Sequence, residues 1–88
     1  MSSAEKIIEY TQKIQRNPND YWAYMYRALA YCKLDQYDRA MVDYTKAIEI
    51  DPYFGDTYYY RGNCYKELGF YSKAQADFAR ARELGYNG

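Results

Sequence analysis

The sequence predicts an all-α chain, five helices packed in successive pairs, and three observations carry that expectation. Tyr24, Tyr31, Ala40 and Ala47 recur 34 residues later as Tyr58, Tyr65, Ala74 and Ala81. A fixed period of this length is the mark of a repeat architecture, in which each unit buries its apolar face against the next. Within a copy, large and small side chains follow helical spacing: Tyr24, Ala28 and Tyr31, then Ala40, Tyr44 and Ala47. Two helices so decorated can approach closely. Finally, Pro52, and Pro18 at the same interval before it, stop a helix, because the residue before proline avoids helical angles.

The elements follow in order. Over 4–16, Ile7, Tyr10 and Ile14 fall on one helical face, and Asn17-Pro18 ends the segment. Its place in the period makes it the second helix of a unit whose first helix is missing. Where later copies carry Ala40/Ala74 and Ala47/Ala81, it carries Lys6 and Lys13. That face has nothing to meet, so lysine is tolerated, and the segment reads as an N-terminal capping helix. Asn19 or Asp20 can cap a helix from about Tyr21 to Leu34. Asp35-Gln36 then forms a turn, and Gly69 stands at the equivalent place in the second copy, as a left-handed helix terminus favours. Helices over about 37–50, 55–68 and 71–84 complete the set, and Gly85 stops the last. In that last helix Met41 and Ile48 are replaced by Gln75 and Arg82, a polar outer face of the kind terminal repeats need. The chain thus divides into a cap (4–16), a first repeat (21–54) and a second repeat (55–88) within one domain (1–88).

The repeated residues resemble the tetratricopeptide repeat, whose pattern is Trp-x2-Leu-Gly-x2-Tyr, then Ala-x3-Phe, then Pro. The first copy reads Tyr24-x2-Arg27-Ala28-x2-Tyr31, Ala40-x3-Tyr44, Pro52. The second reads Tyr58-x2-Arg61-Gly62-x2-Tyr65, Ala74-x3-Phe78, with Ala81. Tyr stands for Trp, Arg27 and Arg61 for Leu, and no proline closes the second copy. The resemblance implies a right-handed α-solenoid of antiparallel helix pairs whose first helices line a concave, peptide-gripping face.

Composition narrows the functional classes. A chain this short buries only about 60–65% of its unfolded surface, which a single layer of stacked pairs accommodates. Twelve basic and twelve acidic residues give zero net charge, against a nucleic-acid footprint or a basic membrane surface. No apolar run is long enough to span a bilayer, and the start lacks a signal-peptide pattern, so a cytoplasmic location is expected. Cys32 and Cys64 sit in different predicted helices and read most simply as free thiols. With no histidine, phosphate loop, Cys-x-x-Cys or calcium-loop pattern, no enzymatic activity, cofactor or metal site is expected. The fourteen tyrosines are the unusual feature.

Binding of a protein or peptide segment is the expected function. Carried over from the family, the groove residues are Trp22, Met25, Tyr26, Leu29 and Lys33, then Asp56, Tyr59, Tyr60, Asn63, Lys66 and Glu67. Trp22, Met25, Leu29 and Cys32 form a second apolar stripe beside Tyr24, Ala28 and Tyr31, and in a single-layer array one stripe is free for a partner. The same side chains could instead support the cap helix and the neighbouring Tyr59 and Tyr60. Partner contact is therefore assigned to Trp22, Met25, Tyr26, Leu29, Lys33, Tyr59, Asn63 and Lys66. Family members that hold acidic chaperone tails use Lys, Arg and Asn at places that here are Trp22, Tyr26, Asp56 and Tyr60, so an apolar or aromatic-compatible guest is expected. A self-associating homodimer is the alternative, and stacking of single-stranded bases on tyrosine a remote one.

Overall fold

The structure, a computed structural model, describes residues 1–88. Five helices run in order: α1 (Ser3–Arg16), α2 (Tyr21–Lys33), α3 (Tyr37–Ile50), α4 (Gly55–Glu67) and α5 (Tyr71–Glu83). Each packs on its chain neighbour, and α2 also touches α4. The molecule is a slab of 32 × 25 × 19 Å. No helix is long and apolar enough to cross a membrane.

Local chemistry sets the helix ends. The first helix begins at Ser3, one residue earlier than expected, because Ser2 and Glu5 form a capping box. The Glu5 amide donates to Ser2 Oγ at 3.1 Å and the Ser2 amide to Glu5 Oε1 at 3.0 Å. At α2 the choice between Asn19 and Asp20 resolves to Asp20, which accepts from the Ala23 amide at 3.1 Å. The ends of α2, α4 and α5 share one device. Asp35, Gly69 and Gly85 adopt φ of 57°, 83° and 91°, and the next amide reaches back to the carbonyl of Tyr31, Tyr65 or Ala81. By contrast α1 and α3 end in extended residues, Asn17 and Asp51, each followed by proline.

The core lies between paired helices. Ala28, Ala40, Tyr44 and Ala47 are fully buried and form one cluster with Tyr24, Met25 and Cys64. In the second pair Ala74 and Ala81 are buried, and a β-carbon on Gly62 would come within 2.7 Å of the Phe78 ring. Small residues at these points thus set how near the axes come. The outer face of α5 is polar, with Gln75 exposed and Arg82 exposed, and α1 has no fully buried residue.

Each pair is also pinned by an ion pair that the periodic pattern did not reveal. Arg27 donates through Nε and Nη2 to the two carboxylate oxygens of Asp43, both at 2.7 Å. Arg61 does the same to Asp77 at 2.8 Å. The Tyr24 and Tyr31 rings lie 5.8 and 5.9 Å from the Arg27 guanidinium, and Tyr58 and Tyr65 lie 5.7 and 5.6 Å from that of Arg61. Arginine at the family's leucine position is therefore a built-in charge, clamped by a carboxylate and framed by aromatic faces. Four of the tyrosines are accounted for in this way.

Candidate functional site

The clefts available to a partner follow from how α2 and α4 sit side by side. Between them opens a cleft of about 320 Å³ lined by Leu29, Cys32 and Lys33 of α2, Tyr60, Asn63, Cys64 and Glu67 of α4, and Tyr37 and Tyr44 of α3. Leu29 and Tyr60 supply apolar surface. Lys33, Asn63 and Glu67 supply one cation, one amide and one carboxylate, so the lining is close to neutral. Tyr44 is fully buried at its base, its hydroxyl 3.7 Å from Cys32 Sγ. Burial pushes the Tyr44 phenol far above its usual range, so it stays neutral.

A second opening, about 470 Å³, continues from Asn63 toward the end of the array. It is lined by Tyr59, Asn63 and Lys66 of α4, Phe78, Ala81 and Arg82 of α5, and Tyr86, Asn87 and Gly88 of the tail. The turn after α5 carries Tyr86 back over α4. Its ring lies 4.6 Å from Tyr59 and 6.5 Å from Tyr60. Gly55 allows this approach, since a β-carbon there would lie 3.2 Å from both Leu84 and Tyr86 Cβ. Desolvation is the main cause that raises the Tyr86 phenol above its ordinary value.

The sequence-derived contact residues therefore separate. Leu29, Lys33 and Asn63 meet in the first cleft, while Tyr59, Asn63 and Lys66 meet in the second. Trp22 and Tyr26 line neither. They are 42% and 39% exposed and belong to an aromatic ladder. In it Tyr10 stacks on Tyr26 at 5.7 Å, Tyr26 on Trp22 at 5.7 Å, and Trp22 meets Phe54 at 4.8 Å. Met25 is a correction. It is only 2% exposed, sits in the core cluster, and receives the Thr57 hydroxyl on its sulfur at 3.5 Å. It supports α4 and cannot touch a partner. Its distinction from Leu29 was not visible in a stripe of apolar residues, since both lie on the side of α2 that α4 covers. Tyr37, Tyr44 and Cys64 are cleft residues that sequence reasoning missed, and Cys32, on the apolar stripe but not assigned to partner contact, lines the cleft as well.

Comparison with known proteins fixes the family. The tetratricopeptide repeat pattern matches residues 21–54, and a second tetratricopeptide pattern matches 43–76, beginning inside α3. The TPR domain of Arabidopsis OM64 is 34% identical over 93% of this chain and 68% of that one, with a TM-score of 0.88.

This chain is a tetratricopeptide repeat protein.

The second TPR of Spaghetti (RPAP3), bound to the HSP90 peptide SRMEEVD, is 29% identical over 93% of this chain and 76% of that one, with a TM-score of 0.90. The TPR2B domain of yeast Sti1, in a pHsp70 complex, is 33% identical over 89% of this chain and 62% of that one, at a TM-score of 0.86. No curated protein sequence matches the chain. Membership makes the chain a non-catalytic protein-interaction module of paired helices.

Proposed function

We propose that this tetratricopeptide module binds an extended or helical protein segment across α2 and α4, with an apolar or aromatic side chain of the guest entering the cleft between them. The observation that carries this reading is the cleft itself. Two equivalent helices open a space walled by Leu29 and Tyr60, with Lys33, Asn63 and Glu67 around it to meet backbone or polar groups. A small number of polar groups in a mainly apolar concavity is what orients a ligand and gives specificity. The second cleft extends the track, because Asn63 belongs to both.

The guest differs from the HSP90 peptide seen with Spaghetti. That peptide, SRMEEVD, carries several carboxylates. The first cleft here offers Lys33 against Glu67, and Asp56 lies in the first turn of α4. Tyr26 and Tyr60 stand where chaperone-tail binders carry cationic or amide side chains.

A peptide-display screen against the whole chain, followed by calorimetric titration, tests this. Selected peptides should be apolar or aromatic, and Leu29→Ala and Tyr60→Ala should each weaken binding by about tenfold, or about 1.4 kcal/mol. Their melting temperatures should change little. Tighter binding of SRMEEVD than of any apolar peptide, or selected peptides indifferent to both substitutions, would overturn the proposal. Sedimentation over a concentration series covers the self-associating alternative, in which the clefts are closed by a second copy.

A further inference from the structure

Two thiols line one cleft where the repeat register does not call for them. Cys32 corresponds to Lys66 in the second copy, and Cys64 corresponds to Ala30 in the first. The stacking offset between α2 and α4 nevertheless brings both into the same cleft. Both are free, Cys64 buried and Cys32 half-buried and open to the cleft. Their partners hold them in place: Cys32 Sγ lies 3.7 Å from the Tyr44 hydroxyl, and the Cys64 thiol donates to the Tyr37 carbonyl at 3.6 Å. The neighbouring Cys64 side chain is the largest influence on Cys32. It outweighs burial, is aided by Tyr44, and brings the Cys32 thiol down to about 7, while Cys64 is raised by the same interaction. One thiol is thus a ready nucleophile and the other keeps its proton beside it.

We propose that Cys32 and Cys64 are an oxidisable dithiol, in which Cys32 reacts with hydrogen peroxide and Cys64 then closes a disulfide that staples α2 to α4. In the first step the Cys32 thiolate attacks one peroxide oxygen and the O–O bond breaks. Hydroxide leaves, takes a proton and departs as water, and Cys32 becomes a sulfenic acid. In the second, the Cys64 sulfur loses its proton and attacks the Cys32 sulfur. The S–S bond forms, the S–O bond breaks, and the released hydroxide takes that proton as a second water. Two thiol sulfurs are oxidised and one peroxide is reduced. A dithiol reductant reverses the result, so in a reducing compartment the bond is transient. The chemistry does not depend on the peptide-binding reading, although the staple would cross the cleft that reading uses.

The test treats the whole reduced chain with hydrogen peroxide, then alkylates remaining thiols in denaturant and measures intact mass and a peptide map. The expected product is a monomer that has lost two hydrogens, takes up no alkylating agent, and regains both thiols with dithiothreitol. In Cys64→Ala, which places at this position the side chain that Ala30 already supplies in the first copy, Cys32 should instead be trapped by dimedone. In Cys32→Ser, Cys64 should remain alkylatable after the same exposure. Circular dichroism confirms that each variant is folded. Dimers linked through Cys32, oxidation of Cys32 with Cys64 still free, or Cys32 reacting no faster in the folded chain than in urea would each overturn the assignment.

Discussion

Removing the Asp43 carboxylate should cost a large part of the stability of this chain. Asp43 is 4% accessible and receives two short bonds from Arg27, whose side chain is itself only 18% accessible. In Asp43→Ala the guanidinium keeps the Thr11 hydroxyl at 3.1 Å and the two tyrosine faces, but no counter-charge. Breaking a buried pair from one side costs about 3–5 kcal/mol. The edge of Arg27 reaches water and can relax outward, so we expect about 2–4 kcal/mol. A chain of this size is stable by roughly 4–13 kcal/mol, so the variant should stay folded but melt some 10–25 °C lower. Urea unfolding followed by far-ultraviolet circular dichroism measures the change. The double variant Arg27→Met/Asp43→Leu removes both charges and should recover to within about 1 kcal/mol of the parent. A loss below about 0.5 kcal/mol in Asp43→Ala, the size seen for solvated pairs, would refute the buried-clamp reasoning. So would a double variant no better than the single.

Other outcomes follow from the same geometry. Met25→Ala should lose about 2–5 kcal/mol in denaturant titrations, since its side chain is enclosed under α4; a loss under about 1 kcal/mol would put it back at the surface. Asp35 holds φ of 57° at the end of α2, where its counterpart is Gly69, so Asp35→Gly should gain about 0.5–1 kcal/mol despite losing the Tyr37 hydroxyl bond at 3.1 Å. A lower melting temperature in that variant would show the side-chain bond to dominate. Glu5 is held below its ordinary value of 4.5 by hydrogen bonds to Ser2, backbone first. A depressed carboxylate stabilises the fold above its unfolded value and loses that contribution as pH falls through the folded one. The protection of first-turn α1 amides, taken relative to their intrinsic exchange rate at each pH, should therefore fall as pH drops below 4.5, and Glu5→Gln should remove most of that dependence.

The scaffold is legible because it is periodic. Tyrosine and alanine at a fixed interval, with prolines closing two segments, locate every helix to within a residue or so. Asp35 and Gly69 mark the left-handed turns. What stays hidden is whatever links residues by distance rather than by register. Arg27 and Arg61 look like departures from the family pattern until Asp43 and Asp77, sixteen positions on, prove to be their partners. The Ser-x-x-Glu start at Ser2 lies outside the repeat and is passed over by any reading that follows the period alone. The site is less legible than the fold. Leu29, Lys33 and Asn63 do converge, but Met25 lies on the same apolar stripe and is buried, because the stacking of α4 decides which part of that stripe stays open. Tyr86 stands where the first copy has Pro52, and only the turn at Gly85 shows that it folds back over Tyr59.

The arginine clamps have a consequence for how such an array can grow. Each guanidinium is neutralised by a carboxylate from the other helix of its own pair, and the rings around it come from its own helix. The only bond either guanidinium sends outside its own pair is the one from Arg27 to the uncharged Thr11 hydroxyl. Duplicating or deleting a pair in the gene therefore carries cation and anion together and strands neither in the interior. What must then be renegotiated is the seam between neighbours, which carries no charge pair and only the weak sulfur bonds of Met25 and Cys64. A lineage can extend or shorten such a chain one unit at a time without passing through an intermediate that buries a lone charge.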